Sequence, residues 1–215
     1  MVGLGWLGTG STPDDAFGAA GHWDTSGSDS AAILRSMAGE DTTMWTVHGS
    51  RRVYESAWVN VDLDDVEIPG GPRFAHHVLR FPRASVGAVV VDGDRVLLLW
   101  RHRFTTGAWG WEIPAGWCDD GEDPAEAMRR EIEEETGYRA STVEPLTTIN
   151  PLSGISSGRF HLFLASGVRR TGEPDPAEAS RVEWVGRERV RELLVEGSVP
   201  DGPSMTALAL VLATR

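Results

Sequence analysis

Four glutamates, Glu131 and Glu133 to Glu135, crowd into five consecutive positions of the segment GWCDDGEDPAEAMRREIEEETGY, residues 116–138. Like charges at this spacing repel, so the run is either a solvated surface or the seat of a cation. At 100° per residue, Ala125, Met128, Ile132 and Thr136 share one stripe of a helix and should face the core. Glu131, Glu134 and Glu135 stand at i, i+3 and i+4 and gather on the neighbouring face. Glu133 and Arg129 point elsewhere and are expected to be solvated. Glu122 can reach the carboxylate face from the preceding loop, and Arg130 is placed to clamp a glutamate. Carboxylate oxygens with room for water suit Mg²⁺, with Mn²⁺ as a substitute, and Mg²⁺ commonly arrives with a phosphate substrate. Replacing one of the three by glutamine should relieve repulsion, so metal-free stability should hold or rise.

That face needs a well-defined helix, and local signals supply one. Asp123 is a strong N-cap, Pro124 fits the first helical position, and Glu126 completes a capping-box pattern. Gly137 fits the C-cap, which predicts a helix over about 124–136. Upstream, alternation in VYESAWVNVDL (53–63) predicts a strand, IPGG (68–71) a turn, and RFAHHVLRF (73–81) a strand pairing back. ASVGAVVV and RVLLLWRHRF flank an Asp-Gly hairpin signal, and their nearly continuous apolar character predicts strands buried on both faces. RFHLFLAS (159–166) and RVEWV (181–185) read as further strands. GRERVRELLVEG reads as an amphipathic helix, and GPSMTALALVLATR as an apolar one. The order predicts an α/β or α+β architecture, a mixed sheet sandwiched between helices with antiparallel strands at its N-terminal side.

Residues 1–43 are rich in Gly, Ser, Asp and Ala without period, and read as a tail contributing neither to core nor to site; SAAILRSMAG forms at best a short helix. The rest, 44–215, reads as one domain. The net charge of −12 argues against non-specific nucleic-acid or anionic-membrane binding. Cys118 is the only cysteine, which excludes an intrachain disulfide and fits a reducing, cytoplasmic setting. No apolar run approaches transmembrane length, and MVGLGWLGTGSTPDD lacks the basic start of a signal peptide.

An isolated acidic run is ordinarily a solvated helix face. Here the spacing overturns that reading: Gly116, five residues, Glu122, seven residues, Arg130-Glu131-Ile132, then Glu134-Glu135 and Gly137-Tyr138. Seven fixed positions would be filled by chance about once in a million chains of this size. The segment resembles a complete Nudix box. The resemblance implies the Nudix fold and Mg²⁺-dependent hydrolysis of a nucleoside diphosphate linked to some moiety X. It implies Glu131, Glu134 and Glu135 as metal ligands, joined by the carbonyl of Ala115, with Glu134 and Glu135 catalytic. Gly116, Glu122, Arg130 and Gly137 are the structural positions of the box.

The likeness extends from about Trp45 to the C-terminus. WEIPAGWCDDGE and VLLLWRHRF resemble the approach to the box in ADP-ribose pyrophosphatases. That branch implies contact of Arg103 with the pyrophosphate and a place for Glu112 near metal or ribose. INPLSGISSGRFHLFLAS resembles the branch's Pro-containing loop, although Pro151 lies thirteen residues past Tyr138, about two short of the usual spacing. GEPDPAEASRVEWV sits where the branch carries a loop with another catalytic acid. Glu178 is the matching position, with Glu173 and Asp175 as rivals. The branch further implies a homodimer whose N-terminal strands, within 44–82, help complete the partner's site. Trp45, Trp58, Trp109 and Trp111 are candidates to stack on a base, none singled out. The expected reaction is ADP-ribose to AMP and ribose 5-phosphate. A nucleotide-sugar or (d)NTP pyrophosphohydrolase is the alternative enzyme, and a non-catalytic nucleotide sensor the alternative of another class.

Overall fold

The computed structural model describes residues 43–174, 176–177 and 179–215. Residues 1–42, with the expected tail and its short helix, lie outside the described residues, as do Asp175 and Glu178. The chain divides into two compact units, up to Arg80 and from Phe81 onward. Among the described residues, no helix is long and apolar enough to cross a membrane.

The first unit holds three antiparallel strands, β1 (Thr46–Tyr54), β2 (Asn60–Glu67) and β3 (Arg73–Arg80), in the order β1-β2-β3. Asp62 and Asp64 of β2 are buried, which is tolerable only because cations and donors meet them. Arg80 reaches both, at 2.7 Å each, Arg52 pairs with Asp62, and the Ser50 hydroxyl donates to Asp64 at 2.6 Å. The single strand expected over 53–63 is instead the end of β1, a turn, and the start of β2. Ser56 makes the break. Its hydroxyl donates to the Val59 carbonyl at 2.8 Å and accepts from the Val59 amide at 3.0 Å, while its own amide donates to the Asn60 side chain at 3.2 Å. A hydroxyl and an amide side chain that satisfy the local backbone compete with strand pairing.

The second unit is built on one mixed sheet. Its strands are β4 (Ser85–Asp92), β5 (Arg95–Arg103), β6 (Ala108–Glu112), β7 (Ala115–Trp117), β8 (Tyr138–Ile149), β9 (Phe160–Arg170) and β10 (Arg181–Gly186). The order is β10-β5-β4-β9-β8, with β6 added to β5 and β7 to β4. β4 and β9 run parallel, and every other pairing is antiparallel. The Asp-Gly signal does close a two-residue hairpin: Asp92 pairs with Arg95, and Gly93 takes the left-handed φ of 59°.

Helices cover both faces of this sheet, as the apolar strands β4 and β5 require. On one side α1 (Pro124–Thr136) packs Met128 and Ile132 against Val86, Val90, Leu97 and Phe163. Full burial of two such side chains contributes about 1.5–3 kcal/mol each. On the other side α2 (Arg187–Val195) and α3 (Gly202–Thr214) bury Val190, Leu193, Leu208 and Val211 with Leu98, Trp111 and Ile113. The helix limits of α1 match the sequence expectation. Asp123 accepts from the amides of Ala125 and Glu126, and Gly137 has φ 72°. Glu126 pairs with Arg129 at 2.9 Å. Strands β6, β7 and β8 and most of β1 had no counterpart in the sequence reading.

Candidate active site

Residue parity along β5 and docking of α1 bring together groups far apart in the chain. Arg101 and Arg103 alternate with Trp100 and His102, so both project from the α1 side of the sheet. Glu112 of β6, paired with Leu99 in the ladder, faces the same way. Together with Ala115, Gly116, Trp117, Glu131, Glu134, Glu135 and the segment around Thr171–Pro174, the two arginines line a cavity of about 930 Å³.

Two polar groupings share its wall. The first is buried. Arg101, 4% exposed, donates from Nη2 to Glu135 Oε1 at 2.7 Å, and its Nε lies 3.8 Å from Glu112 Oε2. Glu135, 3% exposed, accepts on Oε2 from the amide of Ala115 at 2.9 Å. Glu112 in turn holds Arg103 through Nε at 2.9 Å and Nη2 at 2.5 Å. Burial pushes the Glu135 carboxyl up to about 7, against the pull of Arg101. The hydrogen bond to Glu112 raises the pKa of Arg103 further above its ordinary value.

The second grouping faces solvent, and Arg130 is its hub. Nη1 donates to Glu131 at 2.8 Å and to Glu134 at 3.2 Å, Nε and Nη2 grip Glu122 at 3.1 and 2.9 Å, and Nη2 also reaches the Trp117 carbonyl at 2.9 Å. The expected clamp is therefore present and holds loop, strand and helix at once. Glu122 is drawn below the usual carboxylate range by Arg130 and by the Asp119 amide. Glu131 moves the other way, because desolvation outweighs Arg130.

Gly116 explains how Glu131 lies so close to β7. A Cβ there would stand 2.1–2.4 Å from the Glu131 carboxyl atoms, so a side chain and this carboxylate position exclude each other. Gly137 serves the other end of α1. Its carbonyl accepts from the amides of Thr171 and Gly172 at 2.8 and 3.1 Å, which ties the segment after β9 to the helix end.

The three glutamates of α1 expected as ligands do line one cavity, next to Ala115. All donors are oxygens, on one helix face against one strand, and that set fits a hard divalent cation. Among the described residues no group of three acidic or histidine side chains already converges on one point. The reason is visible: the Arg130 guanidinium stands between Glu131 and Glu134. Glu134 has a side chain 58% exposed and meets Arg130 at 3.2 Å, whereas Glu135 is turned to Arg101 and to the Ala115 amide.

Other expectations need correction. Glu133 is not merely solvated; Arg139 of β8 holds it at 2.7 Å. Arg129 pairs with Glu126. Of the proposed loop acids, Glu173 is described, at the cavity mouth and paired with Arg170 at 2.6 Å, whereas Asp175 and Glu178 lie outside the described residues. Trp111 is buried against Trp100, Trp109 lies on the opposite face of β6 from the cavity wall, and Trp45 packs edge-on to Phe74 in the first unit. Trp58 is exposed in that unit. The aromatic in the cavity wall is Trp117, which rests on Phe81. The sequence reading also missed Arg101. Its position two residues before Arg103 in a strand was the available signal.

Comparison with known proteins bears on this geometry. The NUDIX domain profile matches residues 81–207, so it covers β4–β10 and most of the helical cover. The chain is 40% identical over 169 residues to a CMP-5'-(N-acetyl-N-hydroxy-3-aminopropyl)phosphonate hydrolase of Streptomyces rubellomurinus, covering 78% of this chain and 82% of that one. It is 33% identical over 127 residues to an ADP-ribose pyrophosphatase of Mycobacterium tuberculosis, covering 59% and 61%. Against an ADP-ribose pyrophosphatase of Bacillus subtilis it is 28% identical over 160 residues, covering 73% and 86%. A solved ADP compounds hydrolase superposes with a TM-score of 0.68 over 78% of this chain and 91% of the other, at 23% identity, which supports the fold. With the profile spanning more than half of the chain and the box residues gathered in one cavity, this protein belongs to the NUDIX family and is a hydrolase of the ADP-ribose pyrophosphatase-like kind.

Proposed function

We propose that the protein cleaves the pyrophosphate of ADP-ribose, giving AMP and ribose 5-phosphate, with Mg²⁺ as cofactor and Mn²⁺ as substitute. The observation that carries this reading is the cavity that two arginines, Arg101 and Arg103, line together with the helix glutamates, Glu131, Glu134 and Glu135 among them. In it Glu131, Glu134 and Glu135, with the Ala115 carbonyl, would hold the metal. A bound divalent ion there supplies charge neutralisation on the phosphoryl oxygens. Arg103, about half exposed, has donors to offer the pyrophosphate, and Glu112 fixes its direction. Glu178 stays in the proposal as the loop acid.

A second reading has its own support: a nucleoside monophosphate joined to a phosphonate. The relative named for such a substrate shares more identity than the two ADP-ribose pyrophosphatases do. Both substrates present a phosphorus anhydride to the same groups. A panel containing ADP-ribose, nucleotide sugars, a CMP-linked phosphonate and canonical or oxidised dNTPs, read by product analysis, decides between them. ADP-ribose should give the highest kcat/KM. A triphosphate that exceeds it more than tenfold refutes the proposal, a CMP-phosphonate that does so establishes the second reading, and tight binding without turnover establishes a sensor.

The proposal includes a homodimer through residues 44–82. Supporting it are exposed apolar side chains on the first unit, among them Trp45, Val47, Val53 and Tyr54. Sedimentation of the full chain should give twice the mass of one chain.

A further inference from the structure

We infer that Arg101 is a positioning residue which locks the metal end and the pyrophosphate end of the site into one geometry. The inference rests on the proposed hydrolysis at this cavity and assigns a residue that the box does not contain.

Arg101 lies between two carboxylates that serve different ends of the site. Through Nη2 it holds Glu135 Oε1 at 2.7 Å, and the other oxygen of that carboxylate is anchored on the Ala115 amide at 2.9 Å. Glu135 is thus fixed at both oxygens, and the Ala115 peptide with it. On its other side Arg101 Nε faces Glu112 at 3.8 Å, and Glu112 grips Arg103 through both oxygens. The result is a line of alternating charges, Glu135, Arg101, Glu112, Arg103, that crosses from helix to strand. Three of the four are buried, and only Arg103 reaches solvent.

Burial decides what this line can do. A buried carboxylate that lost its cationic partner would be expensive to keep in place, and Arg101 is the cation that stands against both Glu135, which it holds directly, and Glu112, which Arg103 also grips. Arg101 lines the same cavity as Arg103, but it is 4% exposed and holds the buried Glu135 carboxylate, whereas the Arg103 side chain is about half exposed. Its fork geometry matters, because a lysine offers a point charge from one nitrogen and cannot both hold Glu135 and keep a second nitrogen 3.8 Å from Glu112. Removing the fork should loosen Glu135 against Ala115 and Arg103 against Glu112 together. A change of about 1 Å in such placements costs on the order of a hundredfold in rate.

The test compares Arg101→Gln and Arg101→Lys with the wild type in two separate measurements. Mn²⁺ binding to the substrate-free protein is followed by electron paramagnetic resonance, and kcat and KM are measured on the best substrate of the panel. Arg101→Gln should weaken Mn²⁺ binding at least about fivefold and lower kcat about a hundredfold, with KM changed less than kcat. Arg101→Lys should stay folded, recover part of the Mn²⁺ affinity and leave kcat about tenfold low. If Arg101→Gln does not fold, the lysine variant alone decides. Wild-type Mn²⁺ affinity and kcat in the lysine variant, or in a folded glutamine variant, overturn the inference. A drop in melting temperature with unchanged kcat per folded molecule also overturns it, because that is what a purely structural ion pair would give. A wild type that binds Mn²⁺ but turns over nothing refutes the proposed function instead, and the Mn²⁺ arm still judges Arg101.

Discussion

Glu134 and Glu135 are neighbours in the chain and have opposite surroundings. Glu135 is 3% exposed, fixed at both oxygens, and its carboxyl is pushed up to about 7. Glu134 has a side chain 58% exposed and one contact, to a guanidinium it shares with Glu131 and Glu122. Two carboxylates of one motif therefore enter the chemistry differently. One is preorganised and carries the cost of burial in the folded protein; the other is adaptable and carries almost none. An identical residue type at adjacent positions gives no warning of this difference, which comes from the sheet that one of them meets.

The comparison can be broken most directly by Glu135→Gln. Glutamine keeps size and an acceptor for the Ala115 amide but removes the charge, and kcat should fall by roughly 10² or more. Glu134→Gln should cost less, about tenfold in kcat, and should raise the Mg²⁺ concentration needed for half-maximal rate. Equal losses for the two variants in steady-state kinetics would erase the distinction.

Stability sharpens it. The Glu135 carboxyl has its pKa raised from 4.5 to about 7 by burial, so the folded protein retains a proton that the unfolded chain releases in that window. The stabilisation is present below pH 4.5 and is lost as pH rises through about 7, amounting to as much as about 3 kcal/mol. In chelating buffer Glu135→Gln should therefore match the wild type near pH 5 and exceed it in melting temperature near pH 8. The expectation from sequence keeps its direction, but its main cause changes. Desolvation dominates, and repulsion from Glu131 is the smallest contribution. A wild-type minus variant difference that does not vary with pH would place the Glu135 proton elsewhere. The smallest effect belongs to Glu133→Gln. Its carboxylate is held by Arg139 rather than by Arg101 or Arg130, and kcat should stay within about twofold of wild type.

What could be read from sequence was what neighbouring residues decide. Asp123, Pro124 and Gly137 set the limits of α1 within one turn of each end, and the hairpin at Gly93 needed only its dipeptide. Strand β8 escaped because Pro145 breaks its pattern, and the structure tolerates that proline at a register shift on the edge of the sheet. Ser56 ended a strand through side-chain hydrogen bonds that alternation does not register. For the candidate site, the box fixed the identity of the glutamates but not their surroundings. Arg101 meets Glu135 across thirty-four residues, and that meeting exists only once β5 is in register and α1 is docked.

The hydrogen bonds at Gly137 have a consequence for exchange with solvent. The amides of Thr171 and Gly172 are protected by the carbonyl that ends α1, so they can exchange deuterium only when that carbonyl lets go. The left-handed turn at Gly137 cannot be relieved by a larger residue, because a Cβ there would meet the Gly172 carbonyl oxygen at 2.5 Å. Fraying at the last turn of α1 and uncovering of the stretch beside the cavity thus belong to one opening event. Two segments distant in sequence would then open together and show matched protection.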